Sequence, residues 1–280
     1  ANKPIEHHDT CAVILEFGTK PNDYFRDGIL FYTEDFPVIQ YFKNGVFNPD
    51  YQAHADYNGT IEYPSEYKLA SSGLMVTSDT LSTFVKVNTK AESIPFYGFM
   101  LTRNIELKED TAAGVLIRSF YFKDDAKWGE KLLAHAKNII KFYSDSLGFY
   151  PQPVLNIMPG YPHPYGGWPI CPNIVGIHRG IDEKKERAET HGHWIMAHDI
   201  GHQYWGFNYV LEPLNYPQWF GISMGLRTDE MYAKQFIPKF DHVQSFRRYY
   251  LWAVSKGYNT TIMQPIDSLE KQDFDWNNAV

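Results

Sequence analysis

Hydrophobic periodicity changes once along this chain, near residue 120, and the change limits the folds open to it. Before that point, Ile61-Glu-Tyr-Pro64, Tyr67-Lys-Leu-Ala70, Thr83 to Asn88, Phe99 to Leu107 and Gly114 to Phe122 alternate or run in β-branched and aromatic residues. Gly and Asp turns separate these runs, the pattern of strands. From Asp125 onward Trp128, Leu132, Leu133, Ala136, Ile139, Ile140 and Tyr143 recur at helical spacing as far as Gly148, where a helix would stop. The pattern predicts an α+β protein, with a β-rich domain over residues 1–120 and a second domain over 121–280.

Within the second half, Pro151 to Met158 reads as a short apolar strand, Gly160 to Gly167 as a Pro/Gly/Tyr-rich loop and Ile174 to His178 as another strand. Asp182 to Tyr204 reads as mostly helix, Gly221 to Phe236 as a second helix ending before Pro238, and Val243 to Lys256 as a third. At 280 residues and 44% hydrophobic content the chain can bury a sizeable core. A net charge of -7 lacks the basic footprint of a nucleic-acid binder. No run approaches the roughly 20 apolar residues of a membrane span. Cys11 and Cys171 are too few for a disulfide framework and read as buried thiols.

The segment His198-Asp-Ile-Gly-His202 carries the chemistry. On a helix, residues four apart share a face, so both imidazoles can reach one metal ion while the residue after the first histidine leans toward metal-bound water. In the HExxH zinc-hydrolase motif that residue is Glu, the general base; here it is Asp199.

The longer stretch Ala197-His-Asp-Ile-Gly-His-Gln-Tyr-Trp-Gly206 resembles the active-site helix of the M1 zinc aminopeptidases, enzymes of the gluzincin type with the motif AHExxHQWxG. Phe142-Tyr143 to Tyr150-Pro151 is similar to their FYxxxxGxYP segment, and Tyr63-Pro64 to Gly73 to the end of their N-terminal β-domain. The resemblance covers residues 55 to 260. It implies a β-domain followed by a thermolysin-like α/β catalytic domain, here cut short at its C-terminus before the family's oxyanion tyrosine. It also implies zinc on His198 and His202, and a cleft between the domains that takes a peptide or a small molecule.

The chain departs from that family at three functions. The third zinc ligand, a Glu in a W-x-x-E-G setting, maps by counting from His202 to Gly221 and by alignment on Trp219 to Ile222. Neither binds zinc, and Glu212, Asp229 and Glu230 are the nearest acidic replacements, although Asp229 and Glu230 read preferentially as a solvated helix face and Glu212 reads equally as an ordinary loop charge. Asp199 draws its carboxylate back by about 1.5 Å, whereas general-base work needs heavy atoms within about 2.6–3.2 Å. In the substrate-binding loop, represented by Gly166, Gly167 and Trp168, Pro169 stands where the family's amino-terminus anchor is Glu. His191 and His193 read as surface or helix-start residues, and the resemblance implies that much of the set Trp168, Tyr204, Trp205, Trp219, Tyr161 and Tyr165 lies around one cleft.

Three functions are compatible with this sequence. One is a metallopeptidase-like protein with a degenerate, weakly zinc-binding site and a retained binding cleft. The others are a metal-dependent hydrolase of altered chemistry and an active aminopeptidase with a nonstandard ligand.

Overall fold

The computed structural model describes residues 54–160, 166–178, 186–208 and 219–257, the strands within 29–52, and residues 14 and 16. It is a mixed α/β protein with several sheets and, among the described residues, four α-helices. The strands of the first part are β1 (Ile29–Tyr32), β2 (Gln40–Lys43), β3 (Val46–Gln52), β4 (Ala55–Pro64), β5 (Lys68–Ser71), β6 (Leu74–Thr80), β7 (Phe84–Ile94) and β8 (Phe99–Thr102). They form an antiparallel β4-β7-β6 sheet, an antiparallel β1-β8-β5 sheet and a β2-β3 ribbon. In β7, alternate residues are buried, the mark of a strand with one face on a core. That core holds Tyr63, Leu69, Val87, Ile94, Tyr97 and Phe99.

The Phe99–Leu107 run, expected as one strand, breaks after Thr102. Asn104 takes a left-handed φ of 58° in the turn, and the chain resumes as β9 (Ile105–Ala112) and β10 (Val115–Phe122). Helix α1 (Ala126–Leu147) then crosses to β11 (Val154–Pro159), which lies parallel to β10 with Ile117 opposite Leu155. A parallel pair requires such a crossover. Helix α1 ends where the spacing predicted, with Gly148 at φ 90° donating its N–H to the Ser144 carbonyl.

β12 (Gly167–Cys171) and β13 (Ile174–Ile177) complete a five-stranded sheet in the order β12-β13-β11-β10-β9. The sheet therefore crosses residue 120, because β9 and β10 belong with the strands after α1. Texture changes there for a local reason, the start of a helix, while sheet membership is decided by non-local pairing. The segment Gly166 to Asn173, expected as a loop, contributes the edge strand β12, which pairs antiparallel with β13.

Helix α2 (Glu186–Gly201) packs against β12 and β13, α3 (Trp219–Phe236) packs on α2, and α4 (His242–Ser255) packs on α3. The core between sheet and helices joins Ile139, Ile140 and Tyr143 of α1 to Met196, Ala197 and Ile200 of α2 and Tyr232 of α3. Tyr204 is fully buried there and donates to the Phe149 carbonyl at 2.6 Å, so it is a core residue and not part of a cleft wall. Cys171 is buried, and burial pushes its thiol up to about 12. No helix among the described residues is long and apolar enough to cross a membrane.

His193 is partly buried and tied to its neighbours. Its ring stacks on His135 of α1 at 3.6 Å between centroids, and its Nε2 lies 2.8 Å from the Tyr232 hydroxyl. Burial, then the His193 and Lys131 charges, lower His135 to about 3. The unfolded chain binds this proton more tightly, so stability is lost as pH falls from about 6.5 toward 3. His135→Gln should remove on the order of 2–3 kcal/mol of the stability difference between pH 7 and pH 4. Urea titrations of both proteins at the two pH values measure it, and parallel pH dependences would refute the assignment.

Candidate functional site

The site is built where α2 meets α3. Where the helices cross, a Cβ at Gly201 would lie 3.2 Å from Thr228 Oγ1, tighter than ordinary contact, and 3.9 Å from the Gly225 Cα. Without a side chain at Gly201, the backbones approach closely enough for α3 to place polar groups beside the two histidines.

His198 and His202 share a face, as their spacing requires, and their Nε2 atoms converge to 3.1 Å with the rings at 86°. Each Nδ1 has an acceptor. His198 Nδ1 donates to Asp229 Oδ2 at 2.7 Å, and His202 Nδ1 donates to the Trp205 carbonyl at 3.1 Å. Carboxylate and carbonyl oxygens only accept, so both Nδ1 carry hydrogen. Two neutral rings would then turn their Nε2 lone pairs on each other, and a proton or a cation between them removes that repulsion.

The electrostatics follow. Burial lowers His198, but the Asp229 hydrogen bond and charge, aided by Asp199, leave it raised overall. His202 is lowered to about 4 by burial and by the charge of His198, against the opposing Trp205 carbonyl bond. The first proton therefore goes to His198. A tetrahedral zinc ion with Zn–N bonds near 2.0–2.1 Å would place two imidazole nitrogens about 3.3–3.4 Å apart, close to the spacing here. The pair fits zinc as two of its ligands.

The set is not completed. Among the described residues no group of three or more His, Cys, Asp or Glu side chains is placed to hold one ion. Asp229, which could be read as a solvated residue or a replacement ligand, is fully buried. Its second oxygen accepts from His242 Nε2 at 2.5 Å, so it bridges and orients two imidazoles. Glu230 pairs instead with Arg227 at 2.5 Å and Lys234 at 2.6 Å on the outer face of α3. Glu212 lies outside the described residues, as do Tyr161 and Tyr165.

The position facing both histidines is Gly225. A Cβ built there would lie 3.5 Å from His202 Cε1 and 3.8 Å from His198 Cε1, in ordinary contact distance. At Gly221, the position reached by counting, a Cβ would instead face the Trp205 carbonyl at 3.6 Å. The sequence held one usable signal for this, since Gly225 stands four residues before Asp229 and so shares its helix face. His242 had none, being a lone histidine without a spaced partner. Trp194 closes the far side, its ring 5.6 Å from His198, 6.1 Å from His242 and stacked on Phe240 at 5.2 Å.

Asp199 is 2% exposed, and its Oδ2 has no hydrogen-bond partner among the described residues. The edge strand β12 lies over it: any Cβ at Gly167 would collide with Asp199 Oδ2 and stand 2.7 Å from the Gly176 carbonyl. Burial raises Asp199 to about 7, against the opposing charge of His198. A carboxyl so enclosed has no open approach to a reacting water. Gly166 (φ 118°) and the Trp168 ring both pack against His178, and Pro169 lies opposite Val175 in the sheet.

Gln203 links this site to the sheet. It is buried and accepts from the Asn173 N–H at 2.7 Å, and the Asn173 carbonyl in turn accepts from the Asn156 amide group at 3.1 Å. Asn156 accepts from Arg118 Nη1 at 3.3 Å, so a chain of buried polar contacts runs from β10 to the residue after His202.

Comparison of the chain with protein-family models gave no match, and comparison with curated proteins gave none.

Proposed function

We propose that this chain is a metallopeptidase-like protein of the M1 zinc type, a β-rich domain followed by a thermolysin-like α/β domain, whose hydrolytic centre has degenerated. Peptidase activity is weak or lost, and the cleft beside the histidines is kept for binding a peptide or a small molecule. The observation that carries this reading is the contrast between orientation and chemistry at one place. His198 and His202 are held in ligating geometry by Asp229 and the Trp205 carbonyl, yet Gly225 fronts them without a carboxylate. Asp199 is sealed under Gly167, and the Pro169 side chain offers neither a charge nor an acceptor to an amino terminus.

Zinc on two neutral imidazoles keeps most of its charge uncompensated, so it is expected to leave on dialysis against a mild chelator. Aminoacyl-arylamide hydrolysis is expected to be absent or very slow with zinc supplied, and Asp199→Glu alone should not restore it. General-base catalysis contributes about 10²- to 10⁴-fold, but it acts only on a water that something has activated. Metal analysis after dialysis, with arylamide turnover on the same sample, tests both statements.

The convergence of two Nε2 atoms at 3.1 Å favours a second reading, a metal-dependent hydrolase of altered chemistry. Stoichiometric zinc surviving the chelator, without arylamide turnover, would select it. Robust turnover would mean an active aminopeptidase with a nonstandard ligand.

A further inference from the structure

A cavity of about 420 Å³ opens in the β-rich part of the molecule, lined by strands β4, β5, β6, β9 and β10. Its size is that of a pocket for a small organic ligand. Leu69, Met75 and Leu107 give it apolar walls, while Lys68 and Arg118 contribute two cations.

Arg118 is the unusual member. A buried guanidinium needs compensation. It is 5% exposed, and its Nε donates to Glu109 at 2.8 Å and its Nη1 to the Leu69 carbonyl at 2.9 Å and to Asn156. Its plane is further held against the Phe120 ring at 5.1 Å. These contacts leave Nη2 without a hydrogen-bond partner among the described residues. The hydroxyls of Tyr63 and Tyr67, which also line the cavity, are likewise without partners among the described residues. Donors fixed in place beforehand are those that bind with the smallest ordering cost.

We propose that this cavity is a binding site for a small monocarboxylate carried on an apolar or aromatic body, with the carboxylate on Arg118 Nη2 and the phenol hydroxyls, and the body against Leu69, Met75 and Leu107. A monoanion is favoured over a phosphate dianion because both cations already face carboxylates. Glu109 lies 2.8 Å from Arg118, and Glu106 lies 4.0 Å from Lys68. A single added negative charge completes the guanidinium, whereas a second would meet those carboxylates. The site is separate from the paired histidines.

The test is calorimetric titration of the full chain with 3-phenylpropanoate, its neutral amide and phenyl phosphate. The carboxylate is expected to bind with a Kd on the order of 10⁻⁴ to 10⁻³ M, the range for a ligand of about eleven non-hydrogen atoms. The amide should bind at least about tenfold more weakly, since charge-assisted hydrogen bonds are roughly twice as strong as neutral ones. Arg118→Lys should abolish most of the preference. Because Arg118 also holds the sheet, Val76→Trp is the second variant: Val76 lines the cavity yet is 62% exposed, so the change fills the mouth without touching a buried group. It should weaken binding about tenfold or more. No carboxylate binding, equal binding of the amide, or tighter binding of phenyl phosphate would each overturn the proposal. Binding that survives Val76→Trp and is lost in His202→Ala would place the ligand at the histidines and overturn it as well.

Discussion

Gly225→Glu is expected to raise zinc affinity by roughly 10²-fold, the upper end of what even outer partners of a metal site contribute. The new Cβ enters at ordinary contact distance from both imidazoles, so the backbone need not move. Glutamate is also a better helix former than glycine by about 0.5–1 kcal/mol, which offsets part of any crowding. The added carboxylate completes a three-ligand set on a pair of rings already oriented through their Nδ1 atoms. Competition with a chromogenic zinc chelator measures the gain. Ile222→Glu, at the position chosen by sequence alignment, is the comparison and should give little. Equal gains from the two variants would mean that Gly225 is not the position that matters. Hydrolysis is not expected to return with the metal, because Asp199 stays under Gly167.

Asp229→Ala is expected to be the most destabilising single change at the site, by about 3–5 kcal/mol, the size found when one partner of a buried charged pair is removed. Two imidazoles lose their acceptor at once, since His198 and His242 both donate to this carboxylate. Asp229→Asn keeps the shape and one acceptor and should lose about half as much. The pH dependence has a definite sign. His198 is raised above its unfolded value, so its contribution is complete below about pH 6.5 and is lost as pH rises through the folded value. The gap between wild type and Asp229→Ala should therefore narrow in alkali. Urea denaturation at pH 6 and pH 9 gives both quantities, and a loss under about 1 kcal/mol at pH 6 would show the pair to be solvated.

What the sequence discloses about this protein depends on how local each interaction is. Helix α1 is legible because its apolar positions, its cap at Gly148 and its length all lie in one stretch. The two histidines are legible for the same reason, four residues on one helix fixing their relation. β12 is not, since Gly167-Trp-Pro-Ile-Cys171 lacks alternation and contains a proline; it becomes a strand by lying at the sheet edge beside β13. The position facing the imidazoles could not be counted either. Its place depends on how α2 and α3 cross, where Gly201 lies against Thr228 and Gly225. Asp229 reads as a solvated charge on its own helix, and only the packing of α4 brings His242 to its second oxygen.

Asn156 has a further consequence for the strand that carries it. All six residues of β11 are buried, and five of them are apolar, so hydrophobicity alone would accept several alignments against β10. A slip of one residue turns every side chain to the opposite face. Asn156 would then leave Arg118, its register partner, and give up the Ser71 and Asn173 carbonyls to which its amide donates. The misaligned sheet would contain a buried guanidinium and a buried amide, each missing acceptors. This asparagine thus acts as an alignment key for the central strands, and since β13 and Gln203 are set from it, the placement of the histidine helix begins with a residue that never touches a ligand.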